Sequence, residues 1–191
     1  MISIRIHGRG GQGVVAAAEL IALAAFKQGY EAQSLPFFGV ERSGAPIQAF
    51  VRIDREKIIT HAQVVKPDYI IILDDSLSHN KEIFQGLHQS SHILINSDQG
   101  VSDIRKIIGP KYKDLKIQVL DANKISFQIL KRIIINTALL GAFCAQYKII
   151  KKDKALAAID EKFQNKGRSV NKLNQKIFLT AYEQSLKQEN K

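Results

Sequence analysis

Ile2-Ser3-Ile4-Arg5-Ile6-His7-Gly8-Arg9-Gly10-Gly11-Gln12-Gly13 opens the chain, and the alanine-rich run Val14-Val15-Ala16-Ala17-Ala18 follows without a break. Residues 2–7 alternate isoleucine with polar side chains, the period of a strand. Gly8 to Gly13 has the spacing G-x-G-x-x-G, and the apolar run after it predicts a helix from about Gln12 to Gln28, stopped at Gly29. Strand, glycine loop and helix in that order form an anion-binding device. Residues without Cβ let the backbone turn sharply and approach a ligand, and the helix start presents free N–H groups to it. The glycines also fit a second reading, close packing of strand against helix with no ligand.

Residues 31–35 read as a second strand. An eleven-residue loop, Pro36-Phe37-Phe38-Gly39-Val40-Glu41-Arg42-Ser43-Gly44-Ala45-Pro46, precedes an alternating strand Ile47–Ile53. Asp54-Arg55-Glu56-Lys57 turns, and Ile58-Ile59 is expected to start a short return strand, making a hairpin inserted into the alternating pattern. Asp68-Tyr69-Ile70-Ile71-Ile72-Leu73-Asp74 is a continuous apolar run bounded by acids, suited to a central parallel strand covered on both faces. A short helix near 81–87, a strand at 92–96, a helix at 102–108 and a strand at 116–120 come next, and Asp121 is placed to cap the helix after them. The rest reads as helices at about 124–131, 135–147, 152–165 and 169–187. The expected fold is α/β: three layers, α/β/α, a mostly parallel Rossmann-like sheet, an inserted hairpin and C-terminal helices from about 124 to 191, in one domain spanning 1–191.

Composition sets the outer bounds. At 191 residues, with 45% hydrophobic and 24% charged side chains, the chain can build a core without disulfides or a metal. No run approaches the ~20 apolar residues of a membrane span, and the first residues lack the basic segment of a leader, so the expected place is the cytoplasm. The one cysteine, Cys144, excludes an internal disulfide and an iron–sulfur cluster held by this chain alone. Net charge is +10, of which Lys148–Lys191 carries +6, from eleven Lys/Arg against five Asp/Glu. That face suits either a solvated helix surface or a polyanionic partner, and it lacks the aromatic-basic platform of a nucleic-acid binder. Val14–Phe26, with Glu19 its only polar residue, and the uncharged run Ala138–Ala145 are apolar nearly all round. Such helices are buried on both sides, and a partner subunit over one or both is expected, the other reading being burial within the domain.

The candidate chemistry is binding rather than turnover. A dinucleotide site needs an acid at the end of the second strand for the ribose, and here that strand ends Ser34-Leu35-Pro36. No Gly-Lys-Ser/Thr closes the loop as in a phosphate-binding NTPase. Arg42, with Ser43 and the Gly44 backbone, sits on the same expected sheet edge as the glycine loop and can pair with a phosphate, or else Arg42 pairs with Glu41 at the surface. Asp74-Asp75 can serve acid–base or metal chemistry. The plainer reading makes Asp75 a helix cap and leaves Asp74 solvated. His7 faces a ligand or is a satisfied strand-end histidine. Cys144 reads as a buried small hydrophobe. No catalytic set and no metal-ligand spacing is present.

Three blocks now stand together: His7-Gly8-Arg9-Gly10-Gly11-Gln12-Gly13, then Gly39-Val40-Glu41-Arg42-Ser43-Gly44-Ala45-Pro46 with the strand Phe50-Val51-Arg52-Ile53, then Ile135-Asn136-Thr137-Ala138-Leu139-Leu140-Gly141-Ala142. In order and spacing the chain resembles, over essentially its whole length, the gamma subunit of the 2-oxoacid:ferredoxin oxidoreductases, the pyruvate or ketoisovalerate type in particular. Ser43 departs from many gamma sequences, which repeat an arginine there, and the basic-Ser-Gly triplet also resembles the fused single-chain pyruvate enzymes. The resemblance implies a non-autonomous subunit of a complex that oxidatively decarboxylates a 2-oxoacid to an acyl-CoA and passes electrons to ferredoxin or flavodoxin. It implies alpha, beta and delta-type partner subunits that hold thiamine diphosphate and the iron–sulfur clusters. It also implies a shared coenzyme A site to which Gly10, Gly11, Gln12, Gly13, Arg42, Ser43, Gly44, Asn136 and Thr137 contribute. Two rivals remain: an assembly subunit with no ligand contacts, and an independent nucleotide-binding Rossmann-like protein. Nucleic acid and membrane are not expected partners.

Overall fold

The computed structural model describes residues 1–37 and 44–189, and the Arg42-Ser43 stretch lies outside the described residues. A six-stranded sheet in the order β2-β3-β1-β4-β5-β6 forms the middle layer. Its strands are β1 (Ile2–Arg9), β2 (Glu31–Phe37), β3 (Pro46–Asp54), β4 (Tyr69–Ile72), β5 (His92–Asn96) and β6 (Lys116–Leu120). β1, β4, β5 and β6 pair in parallel, while β3 runs antiparallel to both β1 and β2. The C-terminal ends of five strands therefore lie on one edge, and β3 alone begins there.

The hairpin differs from the sequence expectation. β3 pairs with the strand before it, from Glu31↔Asp54 to Phe37↔Gln48, and Ile58-Ile59 form no strand. The physical reason is edge occupancy. β3 lies between β2 and β1, so both its hydrogen-bonding edges are filled and none is free for a return strand.

One face of the sheet carries α1 (Val14–Lys27) and α4 (Asn136–Tyr147), with α3 (Ala122–Leu130), α5 (Lys152–Phe163) and α6 (Arg168–Glu189) packed around them. Ile4, Ile6, Val51, Ile53, Ile71, Leu94 and Leu120 point to this side and join the α1 and α4 side chains in one core. Every residue of α4 from Asn136 to Ala145 is buried. The chain itself does this burying. α6 packs so close to α4 that a Cβ on Gly141 would stand 2.5 Å from the Phe178 carbonyl oxygen, and α5 lies across α1. The chain thus covers α4 by itself, while on α1 Phe26 remains 65% exposed. α5 and α6 supply the cover through inward stripes (Ala155, Ala158 and Ile159; Ile177, Phe178 and Ala181) beneath a charged exterior.

The opposite face is covered by an α-helix over one half and by irregular chain over the other, where the Ala62 and Val64 segment and residues 83–85 lie over Arg5 and Arg52. α2 (Val101–Ile108) seals β4, β5 and β6, with Ile104 and Ile108 on Ile70, Ile72, Ile93 and Ile95. In place of a helix at 81–87 stand two 3-10 turns, Asp75–His79 and Lys81–Phe84. Asn80 between them is extended and caps Glu82, and Gly86 takes a positive φ of 81°, so no longer helix can propagate. Among the described residues no α-helix packs on the β2-β3-β1 half of this face, where the Lys81–Phe84 turn reaches β1 through the Ile83 carbonyl and Arg5.

Candidate functional site at the glycine loop

β1 ends at Arg9, and the chain turns through Gly10–Gly13 into α1. Gly11 and Gly13 have φ of 89° and 83°, a region that L side chains rarely enter, and a Cβ on Gly11 would meet nothing within 4 Å. These two glycines serve the turn and leave its outer side open. Gly8 serves packing: a Cβ there would stand 2.5 Å from the Val14 side chain. Gly8 thus fits the packing reading of the glycines, while Gly11 and Gly13 supply the turn. The first turn of α1 has no side-chain cap and no acidic residue, so no side chain of the helix itself answers its N–H groups and dipole.

The loop is held from within. The Gln12 side chain accepts from the Arg9 backbone N–H (2.7 Å) and donates to Asp74 (2.9 Å). Arg9 donates to Asp74 (3.0 Å), to the Gly44 carbonyl (3.2 Å) and to Ser76 (2.9 Å). Gly10 N–H donates to the Ala45 carbonyl (2.9 Å). Arg9 thus clasps the glycine loop, the end of the second block and the turn after β4 to one another. Sequence reasoning misses this role, although an arginine inside a glycine loop and an Asp-Asp pair at a strand end carry the signal. Gln12 and Arg9 have committed side chains, so a ligand here would meet backbone N–H groups.

Asp74 is the cap, accepting from Ser76, and Asp75 accepts from Ser97 Oγ (2.5 Å), the reverse of the roles expected from the sequence. Burial raises the Asp74 carboxyl, but hydrogen bonds from Ser76 and Gln12, with the charge of Arg9, outweigh it and hold the group below the usual carboxylate value. Asp121 caps α3 as expected, accepting from Lys124 N–H at 2.8 Å.

The third block meets the first. Asn136 starts α4, and its Nδ2 lies 4.0 Å from the position of a Cβ on Gly13. Asn136 is 9% exposed, and its Oδ1 accepts from Thr137 N–H at 3.0 Å. Thr137 is fully buried, with its hydroxyl on Asn174 of α6 (3.2 Å), and so acts by holding α4 in place. The starts of α1 and α4 therefore converge, and Gly44 and Ala45 are tied to the same loop. Arg42 and Ser43 belong to the undescribed stretch.

From Gly11 and Gln12 a crevice of about 660 Å³ runs along the carboxyl ends of the strands, the usual ligand position in an open α/β sheet. Asp74, Asp75, Asp98 and Asp121 line one side against a single cation, Lys124, and Phe127, Ile133 and Ile135 form an apolar wall. Asp74 stands at the glycine end itself, where Arg9 and Gln12 engage its carboxylate, while Asp75, Asp98 and Asp121 line the crevice with Lys124 as its one lining cation. An anionic group fits only against the backbone N–H groups of the glycine turn. Among the described residues no three His, Cys, Asp or Glu side chains converge as a metal site, and no helix is long and apolar enough to cross a membrane. Cys144 is buried in α4, and burial pushes its thiol far above the ordinary value, which makes it an inert core residue. The topology also departs from a dinucleotide site of the usual kind, because β3 separates β2 from β1, so the end of β2 is not beside the loop.

Residues 3–184 match the family model described as pyruvate ferredoxin/flavodoxin oxidoreductase, and the chain belongs to that family. Within it the likeness is to gamma-type subunits. The pyruvate synthase subunit PorC of Methanothermobacter thermautotrophicus is 40% identical over 184 residues, covering 96% of each chain. The solved structure of pyruvate oxidoreductase subunit PORC from Thermotoga maritima superimposes with a TM-score of 0.83 at 33% identity, over 95% of each chain. A 2-oxoglutarate:ferredoxin oxidoreductase from Magnetococcus marinus, solved with 2-oxoglutarate, coenzyme A and succinyl-CoA bound, shares the fold at a TM-score of 0.77 and 19% identity. There the likeness covers 98% of this chain and 31% of that one.

Proposed function

We propose that this chain is the gamma subunit of a cytoplasmic 2-oxoacid:ferredoxin (or flavodoxin) oxidoreductase acting on pyruvate, and that it contributes part of the coenzyme A site. Its partners on this reading are alpha, beta and delta-type subunits, which hold thiamine diphosphate and the iron–sulfur clusters. The pyruvate assignment leans on the full-length likeness to pyruvate synthase PorC. The coenzyme A assignment leans chiefly on one observation: the uncapped start of α1 and the start of α4 meet at Gly13 and Asn136, each next in the chain to a residue of the crevice lining, Gln12 and Ile135.

A phosphate of coenzyme A would take the N–H groups of Gly11 and Gly13, since those of Gly10 and Gln12 already donate to the Ala45 and Arg9 carbonyls, with the Asn136 amide beside them and Arg42, Ser43 and Gly44 as further donors. The carboxylates further along the crevice repel a second anionic group and favour one that donates hydrogen bonds. What the chain does is bind and orient. It fixes one end of the cofactor so that the thiol reaches the partner's reacting centre, and confinement replaces a bimolecular encounter. Proton transfer is left to groups outside this chain.

The test is kinetic, on the reconstituted complex. Asn136→Ala and Arg42→Ala are each expected to raise the KM for coenzyme A about tenfold, the equivalent of one charge-assisted hydrogen bond. Pyruvate decarboxylation measured without coenzyme A should be unchanged. Unaltered coenzyme A kinetics in both variants, in a complex that assembles normally, would reject the role and favour a subunit that serves assembly alone.

A further inference from the structure

Between the half of the second sheet face that has no α-helix and the irregular segments over it lies a cleft of about 580 Å³, lined by Arg5, His7, Gln48, Phe50, Glu82 and Gln85 among others. It lies across the sheet from the α1 and α4 layer and is independent of the coenzyme A reading. Arg5 and His7 share a face of β1 opposite Ile4 and Ile6, and both are buried, at 7% and 2% exposure. Arg5 is held by the carbonyls of Val64 (3.2 Å), Ile83 (2.9 Å) and Gln85 (2.6 Å). Among the described residues it has no carboxylate within ion-pair distance. A buried cation without a counter-charge is costly unless something completes it.

The fourth contact of Arg5 shows where completion comes from. Its Nε–H donates to His7 Nε2 at 3.1 Å. Arginine can only donate, so Nε2 is the unprotonated nitrogen and the neutral ring carries its proton on Nδ1. Burial, and then the charge of Arg5, push the His7 pKa down to about 3, so this tautomer persists through the physiological range. Nδ1 has no partner among the described residues, and the ring lines the cleft. The result is a polarised relay, guanidinium to imidazole to cleft, ending in one fixed donor with a positive charge behind it.

We propose that this cleft is a carboxylate-binding site, in which the His7 Nδ1–H donates to the carboxylate and Arg5 supplies the compensating charge. A single donor backed by a single cation, with the Gln48 and Gln85 amides beside it, matches a monoanion. A phosphate dianion would require several converging N–H groups and would be repelled more strongly by Glu82 on the rim. The carboxylate comes from a free small acid or from an aspartate or glutamate of a partner subunit.

The experiment is a titration of the full chain with succinate, and with neutral succinamide as control, following the His7 ring nitrogens by NMR. Saturable movement of the Nδ1 signal with succinate alone is expected. Glu82→Gln should tighten binding severalfold by removing the rim charge, and His7→Phe should weaken it at least about tenfold, the loss of a charge-assisted hydrogen bond. No saturable response, an equal response to succinamide, or indifference of the affinity to Glu82→Gln overturns the proposal, and the Glu82 variant tests it even if His7→Phe fails to fold. Repeating the titration on the assembled complex identifies the source: continued binding of succinate points to a free acid, and loss of binding that the isolated chain shows points to a partner side chain already in place.

Discussion

Lowering the pH from 8 to 5 should destabilise this protein through His7 by about 2 kcal/mol. The folded ring stays neutral to about pH 3 because burial and the Arg5 charge oppose its protonation. The unfolded ring titrates near pH 6.5. Below that value the unfolded chain binds a proton that the folded chain refuses, so the stabilisation present above pH 6.5 is lost progressively as pH falls toward the folded pKa. One proton corresponds to about 1.4 kcal/mol per pH unit, and about 1.5 units separate 6.5 from 5, which gives about 2 kcal/mol, or roughly 4–8 °C in Tm for a chain of this size. His92, also lowered by burial, adds in the same direction, so the measurement is a comparison. Thermal unfolding of the wild type and of His7→Asn across pH 5 to 8 should give a flatter dependence in the variant, whatever its absolute stability. Parallel curves would refute the placement of a neutral, buried His7 against Arg5.

Other perturbations act on the packing and the loop clasp. Gly141→Ala gains about 1 kcal/mol of helix propensity but drives a Cβ to 2.5 Å from the Phe178 carbonyl. Overpacking against backbone should dominate, with a net loss of about 1–2 kcal/mol and a lower Tm. Gln12→Ala removes the internal brace of the glycine loop and should raise amide hydrogen exchange at Gly10–Gly13 while leaving β4 and β5 protected. Asp74→Asn removes a carboxylate whose folded pKa is depressed, so the wild type should lose stability as pH falls below about 4 and the variant should lose less, seen in the acid limb of an unfolding curve. Cys144 should resist thiol reagents in the native state and react only at the rate of unfolding, since its thiol is buried and its pKa raised.

Much of the layer order is legible in the sequence because periodicity reports local geometry. The run Asp68–Asp74 suits only a strand covered on both sides, and the structure sets β4 between β1 and β5. Pairing is less legible. Nothing local to Ile58-Ile59 reveals that β3 has both edges filled by strands before it in the chain. The burial of α1 and α4 is plain from their composition and its agent is not, because α5 and α6 hide their small inward stripes among lysines and glutamates. The site divides in the same way. The glycine turn is a local property and is visible. The approach of Asn136 to Gly13 joins residues more than a hundred positions apart, and only the family resemblance, not spacing or composition, brings the two together. The Asp74–Arg9 clasp is also long-range, and it reverses the roles expected within the Asp-Asp pair.

The burial of α4 beneath α6 also orders events in time. Helix α4 cannot hide the apolar side that faces α6 until Phe178 and Ala181 exist to cover it. At a synthesis rate of about 5–20 residues per second, the roughly forty residues between them leave that surface bare for several seconds in every newly made chain. Asn174, which receives the Thr137 hydroxyl, arrives in the same interval, so the Asn136 end of α4 is not fixed beside the glycine loop until the last helix closes. A nascent chain therefore passes through a stage with its first strands formed and a greasy helix exposed. That stage, rather than the finished fold, is where a chaperone would find this protein and where a truncated copy would aggregate.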